Sequence, residues 1–240
     1  MCFRYSIKHP PEEIEQKLGL DETPTFPDVA WIGQGDNAPV FRWPPDDFKT
    51  IEHIRWGLHV PWANAATREL IHITSENLSE NRLLKTFLDV QTCVMPSSGF
   101  YAWRGSRGQR KAHYICREDR APLLFAGVVC SWISFKGKEL TGCAMLTTEA
   151  DKTLLPEANR MPFILSDNDL KIWLQYDLEN QLECPCPISP STNDLLYTYL
   201  LPAGSPSYKH LKGRVHPRAV KAKPSNNQHK DEHCLKEQYS

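Results

Sequence analysis

Pro122-Leu123-Leu124-Phe125-Ala126-Gly127-Val128-Val129-Cys130-Ser131-Trp132-Ile133-Ser134-Phe135, continued across Lys136-Gly137-Lys138 by Glu139-Leu140-Thr141-Gly142-Cys143-Ala144-Met145-Leu146-Thr147-Thr148, reads as two strands joined by a turn. Both runs are rich in Val, Ile, Phe, Trp and Thr, and the Lys and Gly residues between them punctuate. Residues 93–103 and 112–117 have the same make-up and the same kind of boundaries. Four consecutive strands imply an antiparallel sheet. The fold class read from them is α+β, with the sheet curled into an open barrel and a few helices at its flanks.

Outward from that block, residues 11–20 read as a helix: Pro11 suits its first turn, Glu12 and Glu13 suit the positive end of the dipole, and Gly19 suits the stop. Ile14 and Leu18 share one face. Residues 79–89 have helical spacing, with Leu83, Leu84, Phe87 and Leu88 on one core-facing stripe. Ser166 with Asp169 forms a capping signature for a helix through Leu174. Residues 23–45 read as irregular loop with short strand fragments, and residues 54–62 as a strand running into a turn. Beyond Gln181 the order declines. Lys209, Lys212, Arg214, Arg218, Lys221 and Lys223 form a basic segment, and residues 225–240 are polar enough to fray. One domain over residues 1–224 with a polar tail over 225–240 is expected.

Composition narrows the classes of function. The 240 residues are enough for a substantial single core, and 40% apolar with 10% aromatic residues is ordinary for a globular protein. The longest apolar run is too short to span a bilayer, and no secretory leader is read at the N-terminus. A cytoplasmic monomer with no membrane partner is expected. Among the eight cysteines only Cys184 and Cys186 are close, as C-P-C, which is a poor zinc spacing, so no metal and no cofactor is expected. A net charge of -1 gives no global pull on a polyanion, so any nucleic-acid contact must come from a local basic groove.

The chemistry-bearing candidate is Cys2. A residue this small behind the initiator permits removal of Met1, leaving a free α-amine with pKa about 8 beside a thiol near about 8.5. An aldehyde can meet both. The amine gives a Schiff base, and the thiolate adds to the imine carbon, closing a thiazolidine without a cofactor.

An ordered series of short motifs now resembles the SRAP family over most of the chain: Met1-Cys2 with Arg4; Trp56-Gly57-Leu58 with Pro61 and Trp62; Gly99-Phe100-Tyr101 with Trp103; Phe125-Ala126-Gly127; Thr147-Thr148-Glu149-Ala150; and Arg160-Met161-Pro162. The resemblance implies a β-rich α+β fold. It also implies an abasic-site processing protein whose N-terminal cysteine cross-links to the ring-opened aldehyde of an abasic site in single-stranded DNA, so that such DNA is the expected partner. On this resemblance Cys2 is the nucleophile, and Arg4, Trp56, Trp62 and Arg160 are DNA-binding candidates. Arg4 has a fork of donors suited to a phosphate, with a surface ion pair as its alternative. Trp56 and Trp62 resemble a stacking platform for unpaired bases, with core packing as the alternative for Trp56. Arg160 matches the family arginine in the loop that approaches the site, with a helix cap or a carboxylate partner as its alternative.

The departures from the family pattern are specific. Its N-A-R-x-E-T segment reads His72-Ile73-Thr74-Ser75-Glu76-Asn77 here, so histidine replaces asparagine and Thr74 replaces a phosphate-reaching arginine. The glutamate of G-F-Y-E-W is Ala102, and the histidine of H-D-R-M-P is Ala158. His72 is a candidate replacement donor to the amine or the opened sugar. Three function classes follow: a cross-linking enzyme with attenuated acid/base catalysis, a non-catalytic DNA-binding module, and an N-terminal-cysteine peptidase or hydrolase.

Overall fold

The computed structural model describes residues 4–27, 31–43, 48–59, 69–78, 84–104, 111–134, 136–152, 155, 158–177, 186, 188–189 and 196–200. Their strands are β1 (Arg4–Ser6), β2 (Ile32–Gly33), β3 (Asn37–Arg42), β4 (Glu52–Arg55), β5 (His72–Thr74), β6 (Asp89–Ser97), β7 (Gly99–Arg104), β8 (Lys111–Arg117), β9 (Leu123–Ile133), β10 (Glu139–Glu149), β11 (Arg160–Pro162) and β12 (Leu196–Leu200). The helices are α1 (Pro11–Leu18) and α2 (Asp167–Leu174). One sheet has the order β12-β8-β7-β1-β2, and the other has β11-β10-β9-β6-β3-β4 with β5 pairing to β10. The fold is α+β with curled, largely antiparallel sheets, and the two sheets stack without closing into one barrel.

Local signals explain the helices. Pro11 opens α1, Gly19 closes it in the left-handed conformation at φ 63°, and Ile14 and Leu18 are buried. In α2 the Ser166 hydroxyl accepts from the Asp169 N–H at 3.2 Å. Trp173, fully buried, donates from Nε1 to the Cys93 carbonyl at 2.9 Å and docks the helix on β6.

The core lies between the sheets. Tyr5 on β1 meets Trp56 edge-on, with centroids 5.4 Å apart, and Phe125 on β9 at 5.9 Å; Phe100 on β7 meets Phe125 at 6.0 Å. All four rings are at most 1% exposed. Burying side chains of this size stabilises by roughly 1.5–3 kcal/mol each, so the seam between the sheets helps to hold β1 in place.

Several sequence expectations change here. Residues 93–103 are two strands in two sheets, broken at Ser98. The Ser98 N–H donates to the Ser6 carbonyl at 2.8 Å and Ser97 Oγ donates to the same carbonyl at 3.1 Å, so β1 ties the corner. A Cβ at Gly99 would lie 2.5 Å from the Ile115 carbonyl oxygen, so only glycine lets β7 leave this corner against β8. The helix expected over 79–89 is not formed in its described part: Leu84–Thr86 is a 3₁₀ turn, Leu88 is 58% exposed, and Asp89 already begins β6. Order does not decline steadily past Gln181, because β12 pairs with β8 along residues 196–200. Among the described strands, β5 pairs with β10 in parallel. The basic segment from Lys209 and the tail at 225–240 lie outside the described residues.

Candidate functional site

The site is built from the start of β1, the end of β5 and the ends of β10 and β11. β1 is an interior strand, with Tyr5 opposite Phe100 on one side and Ile32 on the other. Arg4 is half-buried, and its guanidinium lies over the Trp31 ring at 5.2 Å, a stacking that holds the head near the beginning of the strand. Cys2 and Trp62 lie outside the described residues.

His72 begins β5, opposite Met145 of β10 in the parallel ladder. Its half-buried ring stands edge-on to Trp56, with centroids 5.9 Å apart. Tyr5, Trp56 and His72 therefore form a continuous aromatic contact from β1 to β5. Trp56 itself is fully buried and donates from Nε1 to the Ile71 carbonyl at 2.9 Å. This corrects the expectation of a base-stacking platform at Trp56: both the ring and its N–H are engaged inside the core, and no face is left for a base.

Arg160 is also committed within the protein. It opposes Glu149 across β11 and β10, and its Nη1 and Nη2 bond the two oxygens of Glu76 at 2.9 and 2.6 Å. Nη2 donates to the Thr147 carbonyl as well. Glu76 in turn accepts from the Glu149 N–H at 3.2 Å and from Thr148 Oγ1 at 3.3 Å. Burial opposes ionisation of Glu76, but the Arg160 hydrogen bonds and charge, with the backbone N–H groups of Glu76 and Glu149, outweigh it and take the carboxyl down to about 2. Glu76 is the residue sequence reasoning passed over. It stands at the glutamate of the N-A-R-x-E-T pattern, and that match was the available signal.

The altered positions are placed as follows. Thr74 lies opposite Thr147 on β10. Ala102 is buried on β7, directly opposite His113 of β8, itself only 9% exposed. Ala158 is half-buried, and its carbonyl accepts from Lys152 Nζ at 2.8 Å. Among the described residues no group of three or more His, Cys, Asp or Glu side chains is arranged to hold a metal, and no helix is long and apolar enough to cross a membrane. Cys93, Cys130 and Cys143 are buried, and burial raises their thiols far from the range of a reactive thiolate.

Known proteins place this architecture. The chain is 26% identical over 187 residues to the abasic site processing protein YoqW of Bacillus subtilis, covering 72% of this chain and 80% of that one. It is 22% identical over 186 residues to the abasic site processing protein YedK of Escherichia coli, covering 75% and 82%. A crystal structure of a Bordetella bronchiseptica protein superposes with a TM-score of 0.67 at 20% identity, over 84% of this chain and all of that one. One from Bacteroides thetaiotaomicron superposes with 0.64 at 18%, over 84% and 92%. The signature described as SOS response associated peptidase (SRAP) matches residues 1–200, and the chain belongs to the SRAP family.

Proposed function

We propose that this protein processes abasic sites in single-stranded DNA by capturing the ring-opened sugar aldehyde on Cys2, as a thiazolidine formed once Met1 is removed. The observation that carries the reading is the anchoring of β1: Tyr5 is clamped between Phe125 and Trp56, and Trp56 leads to His72. Cys2 stands two residues before Arg4, a span of at most about 7 Å of chain. The strand that follows the nucleophile is thus anchored on both sides, and Arg4 supplies a cation for the phosphate beside the lesion. The names of the relatives support the substrate class. His72 lies at the seam as a candidate hydrogen-bond partner for the amine or the opened sugar.

Ala102 and Ala158 stand where the family pattern carries an acid/base pair, so capture is retained and reversal is slow in this reading. Capture draws on an amine near its own pKa and ends in a closed ring, whereas reversal and strand scission need positioned proton transfer. A second reading, a DNA-binding module without chemistry, is favoured by the same two alanines and by the engagement of Arg160 with Glu76. Intact mass showing loss of Met1, followed by incubation with an abasic single strand and denaturing electrophoresis, separates the two. A covalent species absent from Cys2→Ala is expected; binding without any covalent species selects the module.

A further inference from the structure

Where β6 begins, it has a strand on one side only. The whole of Asp89–Ser97 pairs with β9, whereas β3 reaches β6 through just two pairs, Phe41 with Val94 and Arg42 with Cys93. The next residues after Trp43 are Pro44 and Pro45, which have no N–H with which to extend a ladder. Among the described residues, the second edge of residues 89–92 therefore carries no strand. Such an edge presents backbone N–H and C=O groups ready for pairing.

That edge opens into a cavity of about 420 Å³, within the size range of ligand sites. Residues 89–92 all line it. Side chains alternate between the two faces of a strand, so a cavity that touches four consecutive residues reaches the strand's edge itself. Trp43, 39% exposed, also lines it, as do residues 174–177 at the end of α2, where the Tyr176 ring is stacked on the buried Trp173 at 14° from parallel. The lining carries two carboxylates, Asp89 and Asp177, and no basic side chain, and the carbonyl end of α2 adds to the negative potential. From outside the lining, Lys49 Nζ lies 5.9 Å from the Trp43 ring centre, so this ring already takes a cation. These carboxylates repel a phosphate backbone, and a second copy docked edge to edge would bring like charges together. The place is also remote from the Arg160 cluster: Asp89 opposes Ser131, Ser131 opposes Thr141, and Glu149 lies about 26 Å further along β10.

We propose that this edge is a docking site for an extended, basic segment of a protein partner. The segment adds as a strand to residues 89–92 and lays a lysine or arginine side chain against Trp43 and Asp177. Main-chain hydrogen bonds supply the affinity, and the aromatic and acidic lining selects the side chain. Nothing in this assignment depends on the chemistry of Cys2.

The test uses the full chain and a capped pentapeptide of alternating valine and arginine. Three control peptides carry citrulline, the neutral isostere, in place of arginine, glutamate in place of arginine, or an N-methylated backbone. Titration followed by the amide chemical shifts of residues 89–92 and the indole N–H of Trp43 is expected to saturate with a Kd of about 0.1–1 mM. Each control is expected to bind at least about 5-fold more weakly. The arginine peptide is expected to lose about 3- to 10-fold in affinity for Asp177→Asn and for Trp43→Ala, with the thermal midpoint unchanged because both positions are exposed. The peptide controls need no variant, so they decide the matter if a variant fails to fold. Equal affinity for the citrulline peptide overturns the basic partner, and equal affinity for the N-methylated one overturns the added strand. Absence of saturation, or shifts that miss residues 89–92, overturns the site. Shifts of those same amides with protein concentration alone would make a second copy the occupant and overturn the proposal as well.

Discussion

Arg160 grips Glu76 with two parallel hydrogen bonds, Nη1 to Oε1 at 2.9 Å and Nη2 to Oε2 at 2.6 Å, across 84 positions of sequence. The pair joins the 3₁₀ turn after β5 to β11, and through the Glu149 N–H to the end of β10. Its bidentate geometry is the strong form of an ion pair, while the 47% exposure of the Glu76 side chain lets water screen it.

The pair makes stability depend on pH in a defined direction. The Glu76 carboxyl titrates at about 2 in the folded chain against 4.5 ordinarily, so the unfolded chain binds the extra proton between those values. The contribution is complete above about 4.5 and is lost as pH falls toward 2. Glu76→Gln is expected to lower stability by about 0.5–1 kcal/mol at pH 7, with the difference from the unaltered protein vanishing near pH 2. Urea unfolding across that pH range measures it, and a difference that persists undiminished at the acid end would contradict the pairing.

Core placement of Trp56 has a different consequence. Trp56→Phe removes the hydrogen bond to Ile71 and part of a filled volume, and is expected to cost about 1–3 kcal/mol of stability. Affinity for single-stranded DNA should stay at the unaltered level, read by fluorescence anisotropy at several salt concentrations. A marked loss of affinity in a variant of normal stability would return Trp56 to the interface.

Restoring a carboxylate at Ala102 addresses turnover. In Ala102→Glu, release of the captured DNA is expected to quicken by about 10²-fold, because reversal is the step that most needs a positioned acid. Chase of a preformed adduct with excess competitor reports that rate. Equal release from both proteins would show that the methyl group at this position is not what slows it.

Legibility from sequence followed the range of each interaction. Pro11 and Gly19 bound α1, and Ser166 with Asp169 caps α2, because these signals act within one helical turn. The corner at Ser97, Ser98 and Gly99 was read through as one strand. Its turn residues sit inside an apolar run, and what bends the chain is the Ser6 carbonyl, 91 positions away. The parallel pairing of β5 with β10 and the edge strand β12 are likewise non-local. At the site, Arg160 was visible in its motif and a carboxylate partner was its alternative, but only the fold brings Glu76, 84 positions away, to it.

β1 is held between β2 and β7 from Arg4 onward, with Tyr5 locked into the core. An affinity handle fused upstream would leave every one of those pairings intact while turning the amine of Cys2 into an amide. Under the proposed capture by Cys2, such a preparation would keep its fold and lose that chemistry. Recombinant material for assay therefore needs its handle at the opposite terminus, or a cleavage scheme that exposes Cys2 itself.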